Sequence, residues 1–462
     1  VLLPAKRGRG TFVVLPPGGV ASVGETRLDE EARTTVELLR NAVRPYAWGS
    51  RTAIAELLGR PVPAPHPEAE LWMGAHPGDS SRLLCQDGSE VSLVRLLDAE
   101  PTHQLGRACT DIWGNRLPYL MKVLAADEPL SLQAHPSAEQ AADGFAREEA
   151  LDVPRSAPDR NYPDPTAKPE LICALTEFHA LAGFRAAEAT VRLLHQLDVP
   201  SLRAHVRLLA AQPDRDGLRA LFTTWITLPE ENLRALIPDL LRACAEYVRS
   251  GGEFVEECRT VLELGEAYPN DAGVLASLLL NRIVLRPGEA IYLSPGNLHA
   301  YLRGTGVEIL ANSDNILRCG LTPKHVDVAE LLKVLDFGNG EMRVLTGERR
   351  GTNLTVYRTE AEEFELSRVE WNSGDRAGVL LDSAGPQILL CTEGAVRLSP
   401  TSGGAGSNGN GGHNGHTGGA RELELSQGDS VWLAASDPCV LAQPLGEAHE
   451  RVQLFRAAPG AV

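Results

Sequence analysis

The hydrophobic pattern of this chain changes period twice, and that alternation restricts its fold more than any other feature. From Val36 to Arg185 the apolar residues fall in short, strand-compatible runs, such as Glu70 to Gly74 and Leu117 to Leu124, with short helices between them. From Ala186 to about Ala267 leucines recur at helical spacing, as at Leu193, Leu194 and Leu197, and at Leu218, Leu221 and Leu228. Residues three and four apart share one face of a helix, whereas strand neighbours alternate, so this stretch cannot continue the preceding sheet. Three to five helices are expected, punctuated by Pro200, Pro213, Pro229 and Pro238. Strand-like runs return from Asn281, with a short helix at Val326 to Val334, and persist to Ser430 to Ala434. The expected fold class is mainly β with an inserted helical domain.

A chain of 462 residues accommodates about three domains of roughly 150 residues each. The expected division is a disordered N-terminal extension over 1–35, a first β-barrel over 36–185 and 268–337, the helical insertion over 186–267, and a second β-barrel over 338–462. A Gly-rich loop at 402–419 has the composition of a flexible linker. The net charge is −17, which argues against nucleic acid or an anionic membrane as partner. No apolar run reaches the ~18 residues of a membrane helix, and the first 24 residues lack the continuous apolar core of a signal peptide. The eight cysteines form no C-x-x-C pair and read as reduced thiols, so a cytoplasmic protein is expected. A monomer is expected as well.

Three distant stretches carry potential metal donors. Gln133 and His135 are two apart in Leu130 to Pro136, so on a strand they face the same way. Glu170 lies in Lys168-Pro169-Glu170-Leu171, and His299 in Pro295 to Tyr301. A lone histidine on an apolar strand is more often a core residue than a ligand. Two imidazoles, a carboxylate and an amide oxygen together form a set that zinc accepts, with a further position open for substrate.

Other residues suggest how an anion would be held in an acidic protein. Asn312 to Lys324 is polar and turn-rich, with Arg318 and Lys324 six apart. A guanidinium offers a fixed fork of donors to phosphate or a developing oxyanion, and a lysine adds a point charge. Ser131, beside the metal-donor strand, is a candidate phosphate hydroxyl. Glu308 sits among apolar neighbours in Gly306 to Leu310, where a buried carboxyl acquires a raised pKa and can serve as a base. Trp48 and Tyr301 are candidates to line a sugar pocket, although buried aromatics more often belong to the core. The glycines at 304–306 and 403–419 do not join a strand to a helix and so do not form a dinucleotide loop.

The turn at Gly288, then Pro295-Gly296 and His299, resembles the second motif of a cupin (jelly-roll) barrel. Five motifs in order, Tyr46 to Ser50, Leu130 to Pro136, Lys168 to Glu170, Pro295 to Tyr301 and Asn312 to His325, resemble the type I mannose-6-phosphate isomerases. The resemblance covers residues 36 to 335 by motif and the remainder by architecture. It implies two cupin-like barrels, one zinc ion held by Gln133, His135, Glu170 and His299, and a catalytic Arg318. It further implies interconversion of mannose 6-phosphate and fructose 6-phosphate through a cis-enediolate, with Lys168 or Glu308 moving the proton. Relatives typically carry histidine where this chain has Ala167. A non-catalytic sugar-phosphate sensor and a metal-dependent cupin oxygenase are the alternatives, and the amide donor in place of a third histidine speaks against the oxygenase.

Overall fold

The structure, a computed structural model, describes residues 37–460 apart from 86, 383–384, 402–421 and 447–450. The expected N-terminal extension and Gly-rich loop lie outside the described residues. The described chain is mainly β, with helices inserted between the strands Phe178–Phe184 and Leu280–Leu285.

The larger sheet is organised around one long strand, His299–Ala311. Its second half, Gly304–Ala311, pairs with Tyr119–Ala126 on one side and with Glu170–Ala174 on the other. Its first half, from His299 to Arg303, pairs instead with Phe178–Phe184 and, at His299, with Gln133 of Leu132–Ala134. Gly304 sits where the partners change. Its φ is +116°, and an added Cβ would lie 2.6 Å from the Glu177 carbonyl oxygen, so only glycine fits this bend. The two halves thereby become facing layers. Leu124, Ala126, Ile172 and Ala174 from one pack against Phe178, Ala180, Ala182, Ile283 and Tyr301 from the other.

The stretch from Ala186 to Ala267 contains five α-helices, within the three to five expected, and a sixth, Ala272–Ser277, follows before the strands return. Pro238 does not end a helix as expected but lies inside Glu230–Ser250. An interior proline costs about 3 kcal/mol. Burial of Leu233, Leu236, Ile237, Leu240 and Cys244 on the same helix offsets that cost, at ~1.5–3 kcal/mol for each large aliphatic side chain. The helical core is continuous with Leu132, Ala134, Leu298, Ala300, Leu317 and Cys319. These residues alternate with Gln133, His299 and Arg318 along their strands. The helices therefore cover one face of these strands and leave the opposite face to the site.

The remaining strands form a nine-stranded sheet and a four-stranded sheet, packed through Val369, Trp371, Leu389, Val396, Leu425 and Val431. Strand pairing crosses the boundary expected near residue 338. Glu37–Arg40 pairs with Ser430–Leu433, and Arg82–Leu84 and Glu90–Ser92 extend the same sheet. One core joins Leu39, Leu71, Val123 and Leu171 to Leu366, Ile388, Trp432 and Phe455. A strand's pattern marks which face is apolar but not which sheet will cover it, so strands from both sides of residue 338 can share one sheet. Among the described residues no helix is long and apolar enough to cross a membrane.

Candidate metal centre

Each donor is placed by the strand that carries it. Gln133 lies on Leu132–Ala134 and His135 directly follows it; Glu170 opens Glu170–Ala174, and His299 opens His299–Ala311. The ligand atoms of His135, Glu170 and His299 lie within 4.8 Å of one another. His135 Nε2 is 3.3 Å from Glu170 Oε1, and His299 Nε2 is 3.4 Å from Glu170 Oε2. The Gln133 amide nitrogen is 3.4 Å from His299 Nε2. A half-turn about the terminal bond exchanges the amide oxygen for this nitrogen.

The second nitrogen of each imidazole sets its tautomer. His135 Nδ1 donates to the Asn315 carbonyl at 2.7 Å, and His299 Nδ1 donates to the Asn297 carbonyl at 3.1 Å. A carbonyl only accepts, so the ring proton is at Nδ1 and the Nε2 lone pair faces Glu170. Burial pulls the His135 pKa down to about 4, which keeps the ring neutral. Burial opposes the charge on Glu170, but the Lys168 ammonium at 3.1 Å holds its carboxyl below the usual range. His135 Nε2 and Glu170 Oε2 are both buried without a hydrogen-bond partner. Leaving a buried polar atom unpaired costs about 1–3 kcal/mol. Two imidazoles whose Nδ1 atoms are engaged by backbone carbonyls and a carboxylate converge on one point and fit a divalent cation, zinc in particular.

Charged groups line the layer beside this cluster. Lys168 Nζ is 3.1 Å from Glu170 Oε1. Glu308 Oε1 accepts from the Tyr301 hydroxyl at 2.9 Å, and its Oε2 is 3.5 Å from Lys122 Nζ. Lys122 is also 3.5 Å from Glu70 and lies over the Trp72 ring, whose indole N–H donates to Glu70. Burial raises the Glu308 pKa to about 7, with Lys122 acting against the rise and Glu170 and Glu70 adding to it. Burial disfavours the charge on Lys122, yet Glu70 and Glu308 outweigh it and leave the amine more basic than usual.

Sequence reasoning overlooked Lys122, Glu70 and Trp72. A usable signal existed, because Lys122 is the only charged residue in Tyr119–Ala126, an otherwise apolar strand. A lysine there must be buried, and a buried lysine needs carboxylate partners.

Arg318 lies directly across the ladder from Gln133. Burial lowers the pKa of its guanidinium, and burial together with the charge of Arg318 lowers that of Lys324. Among the described residues neither cation forms an ion pair. Tyr301 is fully buried and its ring is 5.9 Å from that of His299. Trp48 stacks on Tyr46 at 5.7 Å and packs at the edge of the core containing Tyr301. Ser131 is half-buried just before the Gln133 strand, and no contact joins its hydroxyl to the cluster. Ala167 is buried beside a cavity of about 230 Å³ lined in part by Trp113, Arg116, Thr166, Asn312 and Glu363.

Residues 36–187 match the family described as Phosphomannose isomerase type I, catalytic domain. The chain is 36% identical over 416 residues to the mannose-6-phosphate isomerase of Escherichia coli, an alignment covering 89% of this chain and 98% of that protein. It is 31% identical to the human mannose-6-phosphate isomerase, over 78% of this chain and 88% of that protein. A crystal structure of mannose 6-phosphate isomerase bound with zinc and yttrium superposes with a TM-score of 0.79 at 33% identity, covering 92% of this chain and 99% of that one.

Proposed function

The chain belongs to the type I phosphomannose isomerase family, and from that membership and the site geometry we infer that it is a zinc-dependent isomerase of mannose 6-phosphate and fructose 6-phosphate. The observation that carries this reading is the pair of unpartnered buried atoms, His135 Nε2 and Glu170 Oε2, beside His299 and Gln133. Those four side chains would hold the zinc ion, which when bound supplies Lewis acidity and a template for sugar oxygens. Among the described residues Arg318 and Lys324 have no acidic partner, which favours a substrate anion there. Lys324, with Ser131, binds the phosphate, and Arg318 stabilises negative charge as it develops on the sugar oxygens. Trp48 and Tyr301 bound the sugar pocket.

Of the two candidate bases, Glu308 is favoured. Lys168 is already engaged with a metal donor at 3.1 Å, whereas Glu308 has a pKa of about 7, suited to gaining and losing a proton at neutral pH. Glu308 removes the proton from C2, next to the C1 carbonyl, giving the cis-enediolate, and returns it to C1, while the hydroxyl proton passes from O2 to O1. Tyr301 and Lys122 hold the carboxyl in place from two sides.

The test is a coupled assay with mannose 6-phosphate alongside metal analysis of wild type, His299→Ala and Gln133→Ala. One zinc per chain and turnover are expected in the wild type, and loss of both in each variant while the fold persists. A full zinc equivalent with full activity in either variant rules out the ligand assignment. A wild type that binds the sugar phosphate without turnover supports a sensor instead.

A further inference from the structure

The two segments bearing Lys168 and Arg318 meet in a polar network that no part of the mechanism above requires. Asp164 precedes Lys168 in the chain and reaches across to the segment before Arg318. Its carboxylate accepts from the Asp314 amide at 2.8 Å and faces the Ser313 hydroxyl at 2.9 and 3.0 Å. It also accepts from the amide and the hydroxyl of Thr166 within its own segment. Asn315 reaches back in return. Its side-chain amide donates to the Thr166 carbonyl at 2.7 Å and to the Asp164 carbonyl at 2.9 Å, and its Oδ1 accepts from the Asp164 amide at 3.3 Å. Asn315 is fully buried and Ser313 nearly so. On the outer side, His76 takes the Gly78 amide at Nδ1, which leaves Nε2–H facing Asp314 at 3.3 Å.

This network ends on the metal cluster. The Asn315 backbone carbonyl is the oxygen that receives the His135 Nδ1 proton at 2.7 Å. It therefore decides which His135 nitrogen is free and how the ring is turned. Freeing Asn315 from Thr166 and Asp164 releases that carbonyl. The same event loosens Lys168 on one side and Arg318 on the other, three residues beyond Asn315.

We propose that Asp164 and Asn315 are positioning residues, a reciprocal clamp that orients His135 toward zinc and sets the spacing between Lys168 and Arg318. This rests on the zinc reading above. Neither residue touches the cluster with its side chain, so a role confined to general stability would lower the melting temperature without changing the metal's environment. A positioning role makes a different forecast.

The experiment measures zinc affinity by chelator competition, and the visible spectrum of the cobalt(II)-substituted protein, for wild type, Asn315→Ala, Asp164→Ala and Asp164→Asn. The two alanine variants should bind zinc about 10- to 100-fold more weakly and shift the cobalt bands. Asp164→Asn keeps one acceptor oxygen and should fall between them and the wild type. If Asn315→Ala does not fold, the Asp164 pair carries the test. Wild-type zinc affinity and cobalt bands in the variants, with only the melting temperature lowered, would overturn the clamp. A wild type that takes up no zinc counts against the metal reading itself rather than against the clamp alone.

Discussion

The proposed base, Glu308, makes the most direct forecast. It is buried among Tyr301, Lys122 and, at longer range, Glu70, Glu170 and Lys168. A base must be ionised to accept a proton, so kcat should rise with pH through a limb near 7. Lys122 is the positive charge that holds this pKa down. In Lys122→Met the limb should move to higher pH, and a pH–rate profile with an unmoved limb would show that Glu308 is not the titrating group. Glu308→Gln should lower kcat by roughly 10²- to 10⁴-fold. Arg318 makes a separable forecast. If it stabilises developing charge, Arg318→Ala should reduce kcat about 10²-fold with a smaller change in KM. Steady-state kinetics in which only KM rises would assign it to phosphate binding. Ala167 faces enough open volume to admit an imidazole, so Ala167→His should change kcat less than about tenfold, or about 1.4 kcal/mol.

Among the elements, the strand His299–Ala311 does the most to assemble the site. It delivers His299 to one layer and Glu308 to the other, and Gly304 is the point where it changes partners. Gly304→Ala would drive a Cβ against the Glu177 carbonyl and into Phe178 in a backbone conformation that side chains disfavour. Such a substitution should destabilise by about 1–3 kcal/mol in urea titration and weaken zinc binding, because both layers shift. Unchanged stability would mean the bend does not depend on glycine. The helices between Ala187 and Ser277 act differently. They contribute no donor, but they bury the back of the strands that present Gln133, His299 and Arg318.

At the scale of the whole molecule, the described C-terminal strands supply none of the site residues, yet they share a core with the strands that do. Leu366, Ile388, Trp432 and Phe455 pack with Leu71, Val123 and Leu171. The Gly-rich tract 402–419 falls between Ala395–Pro400 and Leu423–Ser426, which pair directly as Leu398 with Leu423. Replacing it with a two-residue turn should preserve turnover and change stability little, since each doubling of loop length costs only about 0.6 kcal/mol. Activity loss in that variant would give the tract a function beyond connection.

The cluster of His135, Glu170 and His299 was legible in the chain because zinc chemistry restricts which residue types occur together, and strand periodicity places Gln133 on the same face as His135. The helical insertion was equally legible, since a period of 3.6 cannot be mistaken for one of 2 over eighty residues. Three things were decided only in three dimensions. Lys122 and Glu70 came to lie beside Glu308 because Tyr119–Ala126 pairs with Glu70–Met73 on one side and with His299–Ala311 on the other. Glu37–Arg40 joined the C-terminal sheet because an apolar face does not specify its cover. Nothing in the sequence singles out Asp164 or Asn315, and only their meeting across 151 positions puts them next to the metal donors. Local pattern follows from the geometry of the backbone, which the chain carries everywhere. The identity of a residue's distant neighbours depends on how whole sheets pack, which no local period encodes.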